Sequence, residues 1–121
     1  MVSNEKDPLI IDLKNSAQAS LELIGGKGLG LAKLMSQGFS VAPGFCITSR
    51  GYFEFVREHY LIDTINYEIG RKPIAHMRWE EIWDSALRIR SAFICKSIPK
   101  IIFDLVKKAY ETMNAKHVVV R

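Results

Sequence analysis

Apolar and polar residues fall in short blocks along the chain, and the spacing inside each block predicts its element. Pro8–Leu13 (PLIIDL) is an apolar run of strand length, and Asn15 or Ser16 is suited to cap a brief helical turn before Leu21–Ile24. From Leu29 the positions Leu31, Leu34 and Met35 recur at helical spacing, and Gly38 stands where a left-handed stop is expected. Val41-Ala42-Pro43-Gly44 reads as a turn and Phe45–Ile47 as a strand. Thr48 or Ser49 then caps a helix whose buried face holds Tyr52, Phe53, Val56 and Tyr60. Leu61, Ile62, Ile65 and Ile69 before Gly70 permit a further helix, and Lys72-Pro73 begins a loop.

The second half is more regular. Trp79–Lys96 carries Ile82, Trp83, Ala86, Leu87, Ile89, Phe93 and Ile94 in a wide stripe of period 3.6. Ser97-Ile98-Pro99 restarts the chain into a helix expected to bury Ile101, Ile102, Leu105, Val106, Ala109 and Met113. His117–Val120 ends in three valines and reads as a fully buried strand. Strands at Pro8–Leu13, Phe45–Ile47 and His117–Val120 alternating with four or five helices give an α/β layer with a small mixed sheet, its strand order open.

Composition narrows the class. With 121 residues, 48% of them hydrophobic and 25% charged, the chain has material for one core and too little for two. Met1–Pro8 does not read as a signal peptide, and no apolar run approaches the roughly 18 residues of a membrane helix, IIFDLV at Ile101–Val106 being typical. A cytoplasmic protein without a membrane partner is the expectation. Cys46 and Cys95 lie far apart with no CxxC, so they are expected as buried, reduced thiols rather than a zinc site or a disulfide. The net charge of +4 is spread along the chain, which argues against nucleic acid as a partner. A buried strand ending on Arg121 is an improbable domain boundary, so a fragment truncated at its C-terminal end is expected.

The candidate chemistry lies in IGGKGLGLAKLMSQGFSVAPGFCIT, positions 24–48. Glycine at that density implies unusual backbone angles or a close approach, and a lysine within it points to an anion. Gly25, Gly26 and Gly28 are suited to expose successive amide N–H groups, with the positive end of a helix starting near Leu29 aimed the same way. Lys27 adds a mobile cation. At about 4 Å and an effective dielectric near 20, it attracts one phosphate charge by roughly 4 kcal/mol before desolvation and ordering costs. The familiar phosphate motifs do not fit: Leu21 stands five before Gly26, Gly28 follows Lys27, and Leu31 fills the last glycine position of a dinucleotide fingerprint. A structural turn with an exposed lysine is the competing reading.

The whole stretch is more specific than its loop. Gly25-Gly26-Lys27-Gly28, then Leu31, Leu34, Gly38, Val41, Pro43-Gly44-Phe45 and Thr48 followed by Tyr52 resemble the opening of the nucleotide-binding domain of the phosphoenolpyruvate synthase and pyruvate phosphate dikinase family, which rifampin phosphotransferases share. His117-Val118-Val119-Val120-Arg121 is similar to that family's strand ending in Val-Arg. The resemblance covers positions 20–55 specifically and 79–121 loosely. The chain departs from the family's usual residues at Leu29, Ala32 and Lys33.

Membership would imply an N-terminal, ATP-grasp-like portion of an ATP-binding domain spanning 1–121. Lys27 and Arg121 would contact ATP phosphates, beside Gly25, Gly26 and Gly28. Magnesium would be held by carboxylates outside this chain. The full-length partner would be a mobile domain whose histidine carries the phosphoryl group to pyruvate or another acceptor. The portion alone would be inactive.

The other candidates are bland. His59, His76 and His117 are isolated, and Glu80, Glu81 and Asp84 form the acidic first turn that a helix dipole favours. Nothing supports a catalytic nucleophile, and Tyr52, Phe53 and Phe55 suit a core better than a base-stacking platform. The alternative function is a noncatalytic or truncated relative that serves as a binding or interaction module.

Overall fold

In a computed structural model the chain is described over residues 6–121. The reading of Met1–Pro8 as unlike a signal peptide falls mostly on residues 1–5, outside the described residues. The fold is mixed α/β, with two short strands, five α-helices and two 3-10 turns among the described residues. The elements divide into two compact units, Met1–Phe53 with Lys100–Arg121, and Glu54–Pro99.

The first unit is built on a two-stranded antiparallel sheet. Strand β1, Ile10–Asp12, pairs with β2, Phe45–Ile47, in the register Ile10 to Ile47, Ile11 to Cys46 and Asp12 to Phe45. The 3-10 turn Leu13–Asn15 follows β1 directly, opened by the Asp12 carboxylate accepting from the Lys14 N–H at 2.8 Å. Helix α1, Leu21–Ser36, packs against that turn and against β2. Its cap is Ser20, whose hydroxyl accepts from the Leu23 N–H at 3.2 Å. Ser16, expected to cap a turn before Leu21, instead closes the 3-10 turn Leu13–Asn15, donating its hydroxyl to the Leu13 carbonyl at 2.9 Å, and is fully buried.

Thr48 joins β1 to the start of helix α2, Ser49–Glu58. Its Oγ1 donates to the Pro8 carbonyl at 2.7 Å and accepts from the Gly51 N–H at 3.3 Å, as an N-cap should. Gly51 is needed there because a Cβ would lie 2.9 Å from Ile47 Cγ2 and 3.0 Å from the Leu9 carbonyl oxygen. Helix α5, Lys100–Met113, packs on β1. The core of this unit comprises Leu13, Ala32 and Ile102, with buried Ser16 and Thr48.

Two expectations fail in this unit. His117–Val120 is not a strand: it has no ladder partner and is exposed, Val120 at 91%. Three β-branched residues supply strand propensity, but a strand is defined by a neighbour to pair with, and the described residues place none beside them. Of the six α5 residues expected in the core, Ile102 alone is buried, whereas Ile101 and Leu105 are exposed. A short two-stranded sheet offers α5 only a narrow surface.

The second unit packs helix α3, Leu61–Gly70, against α4, Trp79–Ile94, through the short 3-10 turn Ile74–His76. Val56 and Leu61 are its buried apolar side chains, and Phe55 stacks on Phe93 with ring centroids 5.6 Å apart. His59 Nε2 lies 2.8 Å from the Ser97 carbonyl, a satisfied structural histidine. Tyr60, expected on a buried face, is 78% exposed: it adopts φ 53° between α2 and α3, so the helical spacing that would bury it ends there. Among the described residues no helix is long and apolar enough to cross a membrane.

Candidate nucleotide site

The Gly-Gly-Lys-Gly stretch lies inside α1 rather than in an open loop ahead of it. Gly25 has φ 70° and ψ 167° and divides α1 into a single turn, Leu21–Ile24, and a longer segment ending at Ser36. That backbone region is open essentially to glycine alone, which is why the interruption falls at this residue. The helix restarts at Gly26, three residues earlier than the apolar spacing predicts. Gly26, Lys27 and Gly28 therefore form its first turn, where a helix presents N–H groups and its positive end.

The three glycines differ in role. Gly25 and Gly26 are exposed; a Cβ on Gly25 would meet nothing within 4 Å, and one on Gly26 would only graze Leu21 at 3.8 Å. Gly28 faces inward, where a Cβ would lie 2.9 Å from Cys46 Sγ and 3.5 Å from Ile24 Cβ. The first turn of the restarted segment rests on β2 at this point, and only glycine permits that approach. Lys27, between the outward and inward glycines, is exposed. Ala32, where the resemblance leads one to expect glycine, is 1% exposed and is the buried residue of α1; Lys33 is exposed.

Cys46 is a neighbour that no motif in the sequence places here. Its thiol is half-buried against Gly28, and burial raises its pKa above the usual thiol value. Cys95, expected to be buried, is exposed, because it caps the C-terminal end of α4 rather than lying in its stripe. Both cysteines are free.

Arg121 belongs to the same unit as Lys27 and sits at the end of the exposed segment that follows α5. Among the described residues no hydrogen bond or ion pair links Arg121 to Lys27. No group of three or more His, Cys, Asp and Glu side chains with metal-binding geometry occurs among them. Glu81 accepts from the Arg78 N–H at 2.7 Å and pairs with Lys72 at 3.2 Å, so the acidic first turn of α4 is a helix cap.

Comparison with known proteins fixes the family. Residues 21–121 match the family described as pyruvate phosphate dikinase, AMP/ATP-binding domain, a match that begins at the first residue of α1. The chain is 32% identical over 106 residues to the phosphoenolpyruvate synthase of Aeropyrum pernix, covering 88% of this chain and 13% of that protein. It is 28% identical over 109 residues to the rifampicin phosphotransferase of Bacillus cereus, covering 89% of this chain and 12% of that protein. The phosphoenolpyruvate synthase of Pyrococcus furiosus is 30% identical over 60 residues, covering 50% of this chain and 6% of that protein. The comparison with solved structures gave no significant match.

The class is thus a nucleotide-binding domain of phosphotransferases. This chain belongs to the pyruvate phosphate dikinase AMP/ATP-binding domain family, and it spans little more than a tenth of the length of the curated relatives it matches.

Proposed function

We propose that this chain is the N-terminal portion of the ATP-binding domain of a phosphotransferase of the phosphoenolpyruvate synthase type. In the complete enzyme a phosphoryl group would pass from ATP through a histidine on another domain to pyruvate or a similar acceptor. The observation that carries the reading is the glycine-only turn at Gly25. It restarts a helix with exposed Gly26 and Lys27 at its positive end, inside the segment that matches the family.

The division of labour follows from these residues. Gly25 and Gly26 leave the surface clear for phosphate oxygens to reach the first-turn amides. Gly28 holds that turn against Cys46 and so fixes where the amides point. Lys27 supplies a flexible point charge, and Arg121 a planar guanidinium suited to bidentate phosphate contact. Phosphoryl transfer depends mostly on positioning and on neutralising charge, and these are the contributions a Gly-Gly-Lys-Gly turn is built to make. Magnesium would be held by carboxylates beyond this chain.

The test is a magnesium-ATP titration followed by backbone amide NMR. The largest shifts are expected at Gly26, Lys27 and Gly28, with adenosine leaving them unmoved. Shifts confined to other segments, or equal shifts with adenosine, would refute a phosphate site at this turn. A folded chain unmoved by any nucleotide would favour the noncatalytic interaction module, a reading that the many exposed large apolar side chains also support.

A further inference from the structure

Helix α4 leaves much of its apolar stripe uncovered, although Phe93 stacks on Phe55. An amphipathic helix in a small α-helical unit normally directs its apolar stripe inward. Here the side that meets α3 is polar: Ser85 is buried, and Arg88 reaches across to the buried Glu68 carboxylate with Nε at 2.8 Å. On the opposite side Trp79, Trp83, Leu87 and Ile94, at helical spacings of four, four and seven, are 66%, 59%, 52% and 74% exposed. The two tryptophans pack edge to face, centroids 5.0 Å apart, so the face is ordered as well as apolar.

The charges along this face select its occupant. Glu80 stands at the N-terminal end of the stripe and Arg90 within its C-terminal half; both are exposed, and neither forms an ion pair among the described residues. A face acidic at one end and basic toward the other is complementary to itself when reversed.

We propose that this face of α4 binds the same face of a second copy of the chain, antiparallel, about a two-fold axis at the level of Ser85. Trp83 then lies over Leu87 of the second copy, and Glu80 of each copy meets Arg90 of the other, two ion pairs from one symmetric contact. Covering two aromatic side chains at roughly 150 Å² each, together with Leu87 and Ile94, removes on the order of 500 Å² per copy, about 1,000 Å² in all. That is the lower limit for a specific interface, so the dimer is a weak one.

Sedimentation velocity of the purified chain over a concentration series tests the proposal. Trp79 and Trp83 are the only two tryptophans in the sequence, so a blue shift of fluorescence with concentration reports on this face alone. A reversible monomer–dimer equilibrium is expected. Glu80→Arg alone and Arg90→Glu alone should each raise its dissociation constant at least about tenfold, as like charges come to face one another. Mixing the two variants should restore a heterodimer, since one then carries two positive and the other two negative charges at the paired positions. Circular dichroism on each variant confirms that the fold is retained. A chain that stays monomeric, as it would if a longer polypeptide or a foreign protein were the natural cover, overturns the proposal. So does a dimer indifferent to both reversals, or one that mixing fails to restore.

Discussion

Gly28 and Gly30 lie two residues apart in the same helix and have opposite reasons to be glycine. At Gly28 an added methyl group collides with Cys46 Sγ, a short side chain with little room to yield, while at Gly30 it meets nothing within 4 Å. Alanine also favours a helix over glycine by about 1 kcal/mol. Gly30→Ala should therefore stabilise the chain by about 0.5–1 kcal/mol. Gly28→Ala should destabilise it by about 1 kcal/mol or more, overpacking outweighing the gain in propensity. Urea unfolding of the two variants checks the signs, and equal effects would mean that Gly28 is not the contact between α1 and β2. The density of glycines pointed to unusual backbone angles or a close approach, and Gly25 shows the first and Gly28 the second. Density alone could not separate the outward pair from the inward one, because that depends on Cys46, which arrives from eighteen positions further along.

Among the elements, the existence of most helices and of one strand was legible from short-range chemistry, and burial was not. Phe45–Ile47 as a strand, Thr48 as a cap, a helix from Trp79, expected to Lys96 and ending at Ile94, and a helix after Pro99 all follow from local spacing and capping. The inward face of α4 does not, since it is fixed by a charge pairing between α3 and α4. Hydrogen bonding from Arg88 lowers the Glu68 pKa below the ordinary value of 4.5, against the opposing effect of burial, and Arg71 and Ser85 add to the lowering. A carboxylate whose folded pKa is depressed contributes stability above its unfolded pKa and loses it as pH falls through the folded value. The second unit should therefore weaken as pH drops through 4.5 and below. Glu68→Gln should be less stable at neutral pH and show a flatter acid limb. Acid titration by circular dichroism of the two proteins decides it, and parallel curves would contradict the role given to Glu68.

For the whole molecule, the family was readable from one contiguous stretch, and the fold class from the alternation of short strands and helices. The third strand was misread because propensity cannot tell whether the described residues supply a neighbour for it. What the chain presents is a glycine-hinged helix start carrying Lys27, held to a small sheet by Gly28. The most direct test is calorimetry of magnesium-ATP binding to the purified chain beside Lys27→Ala. Saturable binding to the natural chain is expected, and its loss, or a weakening of tenfold or more, in the variant. Binding unaffected by the substitution would contradict the assignment of the phosphate site to this turn.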